Sequence, residues 1–306
     1  MRSRLSRLLA GVALAALLLP WLAPAAAGVV AESTRVIFPA DAAEQSLQLA
    51  NLNDYPVVVQ AWVDDGELAS LPEHSTAPVI PLPPIFRLEA GAQTSLRLLH
   101  TRAPLARDRE SLFWLNLYEI PPLPRDASAD AATLTVALRT QMKIFMRPAA
   151  LPMAPGAVAE RLAFSLGADA DADTANGAQA LLIDNPTPYF ASIGTLYFTG
   201  APPEERTEGF MVPPHGRASL PLESPARAAG ARCDAVEVVF TLIDDEGAAI
   251  AHRRAIGERR SGCRALRAPS LRVGRAPVVR PLQAVAVAVD RAQQPSAAAV
   301  QAELAP

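Results

Sequence analysis

Residues 133–147 read TLTVALRTQMKIFMR, and their pattern is the strongest indication of the fold class in this sequence. Leu134, Val136 and Leu138 alternate with small or polar residues, so in an extended chain their side chains point to one face. A period of two over this length predicts a β-strand, the longest in the sequence. Two interpretations stay open: an ordinary half-buried strand, or an edge strand whose apolar row is offered to another chain.

The sequence on both sides of this stretch is also typical of strands. Asn, Asp and Pro turns separate short apolar segments, and the 29 prolines favour many short strands over helices. Strand segments at regular spacing predict an all-β fold of two sandwiches. We place them at residues 28–148 and 159–263, joined by the small, Pro-containing linker 149–158 (AALPMAPGAV). The Pro-rich segment 81–86 is expected to form a corner, where a cis proline bond is possible.

The N-terminus has the order of a secretory signal. Three arginines lie within residues 2–7, residues 8–19 are apolar, and Ala25–Ala27 supply a small-residue cleavage site. We therefore expect residues 1–27 to be removed and the mature chain to begin near Gly28. The alternative, a membrane anchor, is disfavoured because the run is shorter than the ~20 apolar residues that span a bilayer.

Composition and motifs argue against several functional classes. The net charge of −3, from 28 basic and 31 acidic residues, gives no case for a nucleic-acid or membrane-surface partner. The four histidines show no zinc-ligand spacing, and no nucleophile elbow or phosphate loop is present. Asp169, Asp171 and Asp173 are spaced as in a calcium loop, but Thr174 and Ala180 replace its Gly and Glu. We predict no enzyme activity, no metal and no cofactor.

Two cysteines, Cys233 and Cys263, have 29 residues between them. Export makes a disulfide plausible, and in the chain-entropy account it would stabilise the fold by ~3–4 kcal/mol. Two free thiols are the alternative.

Residues 264–306 contain few large apolar side chains and are predicted to be a disordered tail. Residues 285–289 in this tail are apolar, and we interpret them as incidental rather than as a binding element.

Six segments form an ordered set of motifs along the chain. They are TRVIFP (34–39), QAWVDDG (60–66), PPIFRL (83–88), RESLFWLN (109–116) continuing into EIPP (119–122), RTQMKIFMRP (139–148) and NPTPY (185–189). Together they resemble the PapD-like periplasmic pilus (fimbrial) chaperone family. Each is weak alone, but the ordered set is specific, and RESLFWLN is close to a family signature. The short segment 123–132 indicates the short-loop subclass, whereas residues 264–306 have no counterpart in the resemblance.

This resemblance implies two immunoglobulin-like domains set at an angle. A protein of this kind caps pilus subunits in the periplasm by donating a strand, without ATP, and delivers them to an outer-membrane usher. Leu134, Val136 and Leu138 would form the donated row. Arg35 and Lys143 would anchor the C-terminal carboxylate of the subunit through charge-assisted hydrogen bonds.

The resemblance also implies an ionic cluster that orients the two domains. Glu119 and Arg147 match two of its positions. Asp245 matches a third, in the sequence LIDDEG where the family pattern is N-D-Y-G. Asp244 and Glu246 depart from that pattern.

Two other functions stay open as alternatives. A structural pilus subunit or adhesin would share the sandwich architecture, but it should lack its own last strand, which the segment around Lys143 supplies here. A secreted enzyme on a sandwich scaffold would need a cluster of reactive residues, and no such constellation is visible in the sequence.

Overall fold

The computed structural model describes residues 28–67, 70–122, 136–168, 179–201, 203–222, 236–256 and 285–288. Strands dominate these ranges, which confirms the predicted all-β class. The strands of the N-terminal domain are β1 Val29–Ala31, β2 Arg35–Pro39, β3 Glu44–Asn51, β4 Val57–Asp64, β5 Val79–Leu82, β6 Ile85–Leu88, β7 Gln93–His100, β8 Ser111–Ile120 and β9 Val136–Arg147.

The C-terminal domain opens with a single helical turn, after which strands follow. Its elements are α1 Val158–Arg161, β10 Ala163–Ala168, β11 Gln179–Asn185, β12 Ala191–Phe198, β13 Thr207–Val212, β14 Gly216–Pro221, β15 Val236–Ile243 and β16 Ala249–Ile256. Short 3₁₀ turns lie at Pro72–His74, Pro155–Ala157 and Pro203–Glu205. A further strand, β17, spans Val285–Ala288 in the predicted tail.

The N-terminal domain is a sandwich of two sheets. One sheet has the strand order β1-β3-β7-β5, and the other has the order β17-β9-β8-β4-β6, with β2 pairing β9 in parallel. The first two strands of the domain therefore belong to different sheets, β1 to one and β2 to the other. The chain also changes sheet between β5 and β6, at the predicted proline corner, where the Leu82–Pro83 peptide bond is cis.

Alternation along the strands builds the core of this domain. Leu47 and Leu49 in β3, and Leu96 and Leu98 in β7, are buried while the residues between them are not. Their side chains meet those of the opposite sheet in one apolar cluster, to which Phe38 contributes a fully buried ring. Period-two burial on one face is the expected behaviour of a sandwich sheet.

The C-terminal domain repeats this architecture. A three-stranded sheet β10-β11-β14 packs on the four-stranded sheet β13-β12-β15-β16. Its own apolar cluster includes Leu181, Phe198 and Phe240. No residue belongs to the buried clusters of both domains within the part of the chain that the structure describes.

The predicted linker packs on the C-terminal domain. Leu151 and Met153 lie against its apolar cluster, and the hydroxyl of Tyr189 donates a 2.6 Å hydrogen bond to the carbonyl of Met153. These contacts restrict how the two sandwiches can turn about the connection.

Candidate functional site: the interdomain cleft and the edge of β9

Arg35 and Lys143 lie side by side although 107 residues separate them in sequence. The parallel pairing of β2 with β9 places Arg35 opposite Lys143 and Val36 opposite Ile144. Val36 and Ile144 are buried in the apolar cluster of the sandwich, so the two cations project from the other face of the sheet. The structure therefore brings the two predicted anchor residues together.

The C-terminal domain closes the other side of this basic pair. Arg35 Nη1 donates to the carbonyl oxygen of Ile243 in that domain at 3.3 Å. Within the N-terminal domain, Lys143 Nζ lies 5.6 Å from the centre of the Trp114 ring in β8. A cavity of about 370 Å³ opens here between the domains, and Ser192 and Glu208 line it from the far side. The pair therefore lies in a cleft rather than on an open surface.

Close packing also shapes this cleft at Gly247. Its backbone has φ +89°, and a Cβ added there would strike Thr34 in the segment that leads into β2. A glycine at this position lets the loop between β15 and β16 approach the N-terminal domain.

The polar groups of the cleft are incompletely satisfied. Among the residues that the structure describes, the buried atoms Arg35 Nε and Ser192 Oγ have no hydrogen-bond partner. Most buried polar atoms in proteins do have one. Burial, and then repulsion from Arg35, lowers the pKa of Lys143 to about 8. Glu208, which is exposed, is not among the charges that shift it.

Burial also lowers the pKa of Arg35, although Asp245 and Asp244 act in the opposite direction. Burial thus opposes the charged form of both cations. An anion entering the cleft would supply acceptors for their donors and would favour their charged forms. The arrangement has the chemistry required to bind an anion.

A second interdomain constellation centres on Arg147, at the end of β9. Its guanidinium makes a bidentate pair with Asp245 of the C-terminal domain, with distances of 2.6 and 2.7 Å. Its Nε donates to Glu110 Oε1 at 2.8 Å, and its guanidinium lies over the ring of Tyr189. Burial alone would lower the pKa of Arg147, but the hydrogen bonds to Asp245 and Glu110 outweigh it, so the pKa is raised.

Glu110, rather than the predicted Glu119, is the second acid of this cluster. Glu119 pairs in register with Leu138, nine residues from Arg147 along β9. At about 3.3 Å per residue this separation is about 30 Å, so Glu119 cannot reach Arg147. Glu119 instead accepts hydrogen bonds of 2.7 Å from the N–H of Val29 and from Asn53 Nδ2. It fastens β1 to the sheet, and its assignment to the ionic cluster is wrong.

Glu110 makes one hydrogen bond within its own domain and two to the C-terminal domain. Besides the bond from Arg147, its Oε2 accepts from the N–H of Phe190, and its own N–H donates to the carbonyl of Pro188. The carboxylate is almost fully buried, with 2% of the side chain exposed. The sequence did carry a signal for this residue, since Glu110 is the acid in RESLFWLN.

The structure describes two of the three residues of the predicted apolar row of β9. Val136 is 42% exposed and Leu138 is half-buried, whereas Leu134 lies outside the described residues. β8 covers one edge of β9 along most of its length. The other edge is covered by β2 from Lys143 onwards and by β17 at residues 136–139.

A polar network on the outer face of the sheet holds this part of β9 against its neighbours. Arg139 Nε donates to Asn116 Oδ1 at 2.9 Å, and its Nη2 pairs with Asp64 at 3.2 Å. Its guanidinium also lies 4.8 Å from the ring centre of Trp62, and Gln141 donates to the same oxygen of Asn116. The sequence interpretation did not include this network.

The remaining predictions concern cysteines, metals and membranes. Cys233 and Cys263 lie outside the described residues, so their pairing stays a prediction. Over the described ranges, no group of three or more His, Cys, Asp or Glu side chains could hold a metal ion. The same ranges include no helix with the length and apolar character required to span a membrane.

Fold and site together define a two-domain β-sandwich protein with a salt-bridged domain interface and a basic cleft beside a strand edge. Residues 28–152 match the N-terminal domain of the PapD pili and flagellar-assembly chaperones, and residues 157–254 match the C-terminal domain of the PapD pili assembly chaperone. The chain belongs to the PapD-like pilus chaperone family, which is a family of periplasmic, non-enzymatic assembly proteins.

Individual relatives agree with this assignment. The chaperone protein MrkB of Klebsiella pneumoniae is 36% identical over 174 residues, which cover 56% of this chain and 70% of MrkB. The chaperone protein FimB/FhaD of Bordetella pertussis is 31% identical over 261 residues, covering 84% of this chain and 100% of that protein. These matches favour the chaperone over the alternative of a pilus subunit or adhesin.

Solved structures show the same fold. The CupB2 chaperone of Pseudomonas aeruginosa superposes with a TM-score of 0.55 at 28% identity, covering 74% of this chain and 100% of CupB2. The Salmonella enterica SafB chaperone, solved in complex with the SafA pilin, gives a TM-score of 0.58 at 26% identity. That match covers 74% of this chain and 96% of the solved chain.

Proposed function

We propose that this chain captures pilus subunits in the periplasm by holding their C-terminal carboxylate in the interdomain cleft and lending them β9 as a strand. The observation that carries the proposal is the in-register pair of Arg35 and Lys143, which faces a cavity with unsatisfied donors. The SafB structure, which is a complex of a chaperone with a pilin, supports the same kind of partner.

The carboxylate anchor sets the position of the bound subunit along β9. A chain end held at Lys143 can run beside β9 towards Val136, where the outer edge is not covered by β2. Backbone hydrogen bonds along that edge give affinity, and alternating side chains fix the register. Val136 and Leu138, with Leu134 before them, would enter the open core of a subunit that lacks its last strand.

Release follows from the same geometry. A strand from a second subunit that fits the open core better would replace β9 and free the chaperone, and no nucleotide is needed for such an exchange. The outer-membrane usher is the partner at which we place this exchange.

We place cleavage of the N-terminal leader near Gly28, directly before β1 begins at Val29. The intact mass of the periplasmic protein tests that cleavage.

The anchor is tested by co-expressing this chain with an immunoglobulin-fold pilin subunit from the same source and purifying the complex. Losing one partner of a buried charged hydrogen bond costs about 2–5 kcal/mol, so Lys143→Ala and Arg35→Ala should weaken capture about 30-fold or more. Arg217→Ala is the matched control, because Arg217 is 60% exposed and pairs with Asp184 away from the cleft.

A second experiment distinguishes binding through the carboxylate anchor from binding along the edge of β9. A synthetic peptide with the C-terminal sequence of the subunit is compared with the same peptide ending in an amide. We expect the free acid to bind the wild type more tightly and to lose that advantage with Lys143→Ala. Equal binding of the acid and amide peptides would contradict the carboxylate anchor. Equal capture of the subunit by all variants would also contradict a role for the cleft in binding.

A further inference from the structure

The C-terminal tail places a strand on the edge that the proposed function assigns to the subunit. β17 runs antiparallel to β9, with Val285 opposite Arg139, Ala286 opposite Leu138 and Ala288 opposite Val136. The edge of β9 beyond this segment, from Lys143 to Arg147, is already paired with β2. β17 therefore occupies the part of the edge that includes two members of the predicted donated row.

The connection to β17 is long enough for this arrangement within one molecule. Residues 257–284 separate the end of β16 from β17, which is 28 residues. Fully extended, they could span about 90 Å, well above the size of a domain of this length. A tether of this kind raises the local concentration of the tail beside the edge, so even a four-residue strand can compete for it.

An uncovered edge of β9 would be a liability before a subunit is met. Bare backbone N–H and C=O groups at a sheet edge are templates for pairing with other chains, and Val136 adds an exposed apolar side chain. A short strand formed by the same chain covers these groups and can still be displaced, because a subunit pairs along more of β9 and also fills the cleft.

We propose that Val285–Ala288 is an intramolecular cap on the strand-donating edge of β9, which the incoming subunit must displace. The proposal deepens the proposed function and rests on it for the identity of the displacing partner. It also corrects the interpretation of residues 285–289 as incidental. The rest of the tail, predicted to be disordered, lies outside the described residues.

Hydrogen exchange tests the cap without any subunit. The mature chain 28–306 is compared with 28–263 and with the double variant Ala286→Pro, Val287→Pro. Adjacent residues of a strand point their N–H groups to opposite sides, so two consecutive prolines remove at least one hydrogen bond to β9. Ala298→Pro with Ala299→Pro is the matched control, since it places the same residues in the tail outside β17.

We expect the amides of residues 136–139 that face β17 to exchange at least tenfold faster in the truncated chain and in the β17 double variant. The control variant should retain wild-type protection. Equal exchange in all four proteins would overturn the cap. Diluting the wild type tenfold should leave the protection unchanged, and protection that falls on dilution would assign the edge to a second copy and overturn the intramolecular proposal.

Subunit association gives the functional readout. Binding of the pilin subunit described above should be faster for 28–263 than for 28–306, because no cap has to leave first. Association at the same rate would overturn the cap as a regulator of capture. If the subunit binds neither protein, the proposed function fails, and the exchange result still decides whether β17 covers β9.

Discussion

Lys143 and Arg147 lie four residues apart on the same face of β9, yet their surroundings have opposite character. Arg147 is enclosed by Asp245 and Glu110, and the hydrogen bonds raise its pKa. Lys143 has Arg35 as its charged neighbour, and burial together with this repulsion lowers its pKa to about 8. One cation is already neutralised within the chain, and the other is not.

The contrast separates a structural role from a binding role. A basic group saturated by the carboxylates of two domains fixes how those domains meet, and it has little capacity left for a ligand. A basic pair beside a cavity, kept charged at some energetic cost, is suited to an external carboxylate.

Replacing Arg147 with Ala should produce the largest loss of stability. It leaves the carboxylate of Glu110 buried without its cation, a situation that costs about 3 kcal/mol or more. The free energy of unfolding in urea measures the effect. Arg217→Ala, which breaks an exposed pair with Asp184, should cost about 0–1 kcal/mol. A similar cost for both variants would contradict a structural role for Arg147.

Glu110 and Glu119 provide a sharper test, because the matched change to Gln keeps the size of each side chain. Glu110→Gln should alter the relative orientation of the domains and lower stability by about 1–3 kcal/mol, since it weakens a buried charged hydrogen bond. Glu119→Gln should leave the orientation unchanged and speed hydrogen exchange at Val29. Residual dipolar couplings report the orientation. A change of orientation in Glu119→Gln alone would restore the original assignment.

The pKa of Lys143 predicts a smaller, pH-dependent effect. Because the pKa is lowered, the amine loses its proton as the pH rises through about 8 instead of 10.5. Carboxylate affinity should therefore be nearly constant below about pH 7 and approach a tenfold loss per pH unit above about pH 8. Burial makes a charged Lys143 unfavourable in the unliganded, folded protein. This destabilisation declines as the pH rises from about 8 to 10.5, because the amine is then neutral in the folded protein and the cost of removing its proton falls.

This titration can be followed at a single site. Lys143 is the only lysine in the 306 residues, so ¹³C-labelled lysine gives one side-chain signal in the mature chain. Binding of the acid peptide should move the midpoint upwards, whereas the amide peptide should leave it in place. A midpoint near 10.5 in the unliganded protein would contradict the description of Lys143 as a desolvated, unneutralised cation.

Much of the fold could be predicted because strands leave a local pattern. Alternation in the segment 133–147 predicted β9, which begins at Val136 in the described residues. The Pro-rich segment 81–86 correctly indicated the corner between sheets. Periodicity reports which face of a strand is buried, and it is carried by neighbouring residues.

Pairings between distant residues could not be derived in this way. The motif match proposed Arg35 and Lys143 together, but their proximity depends on β2 leaving the sheet of β1 and joining β9 in parallel. Glu119 was misassigned because the motif gave its residue type without its position along β8. The register of the strands decides that position. Glu110 directly precedes β8 and Glu119 lies near its end, so nearly the full length of this ten-residue strand separates the two acids.

The all-β class, the two sandwiches, the family and the candidate cations could be inferred from sequence alone, because they depend on local periodicity and short motifs. The folded structure was needed to identify the acid that meets Arg147, the groups of the cleft that stay unsatisfied, and the position of β17. These depend on strand register and on the contact between two domains, where residues far apart in the chain share one environment. A short Val/Ala segment has no distinctive sequence signal, and its significance comes from the strand edge that it covers.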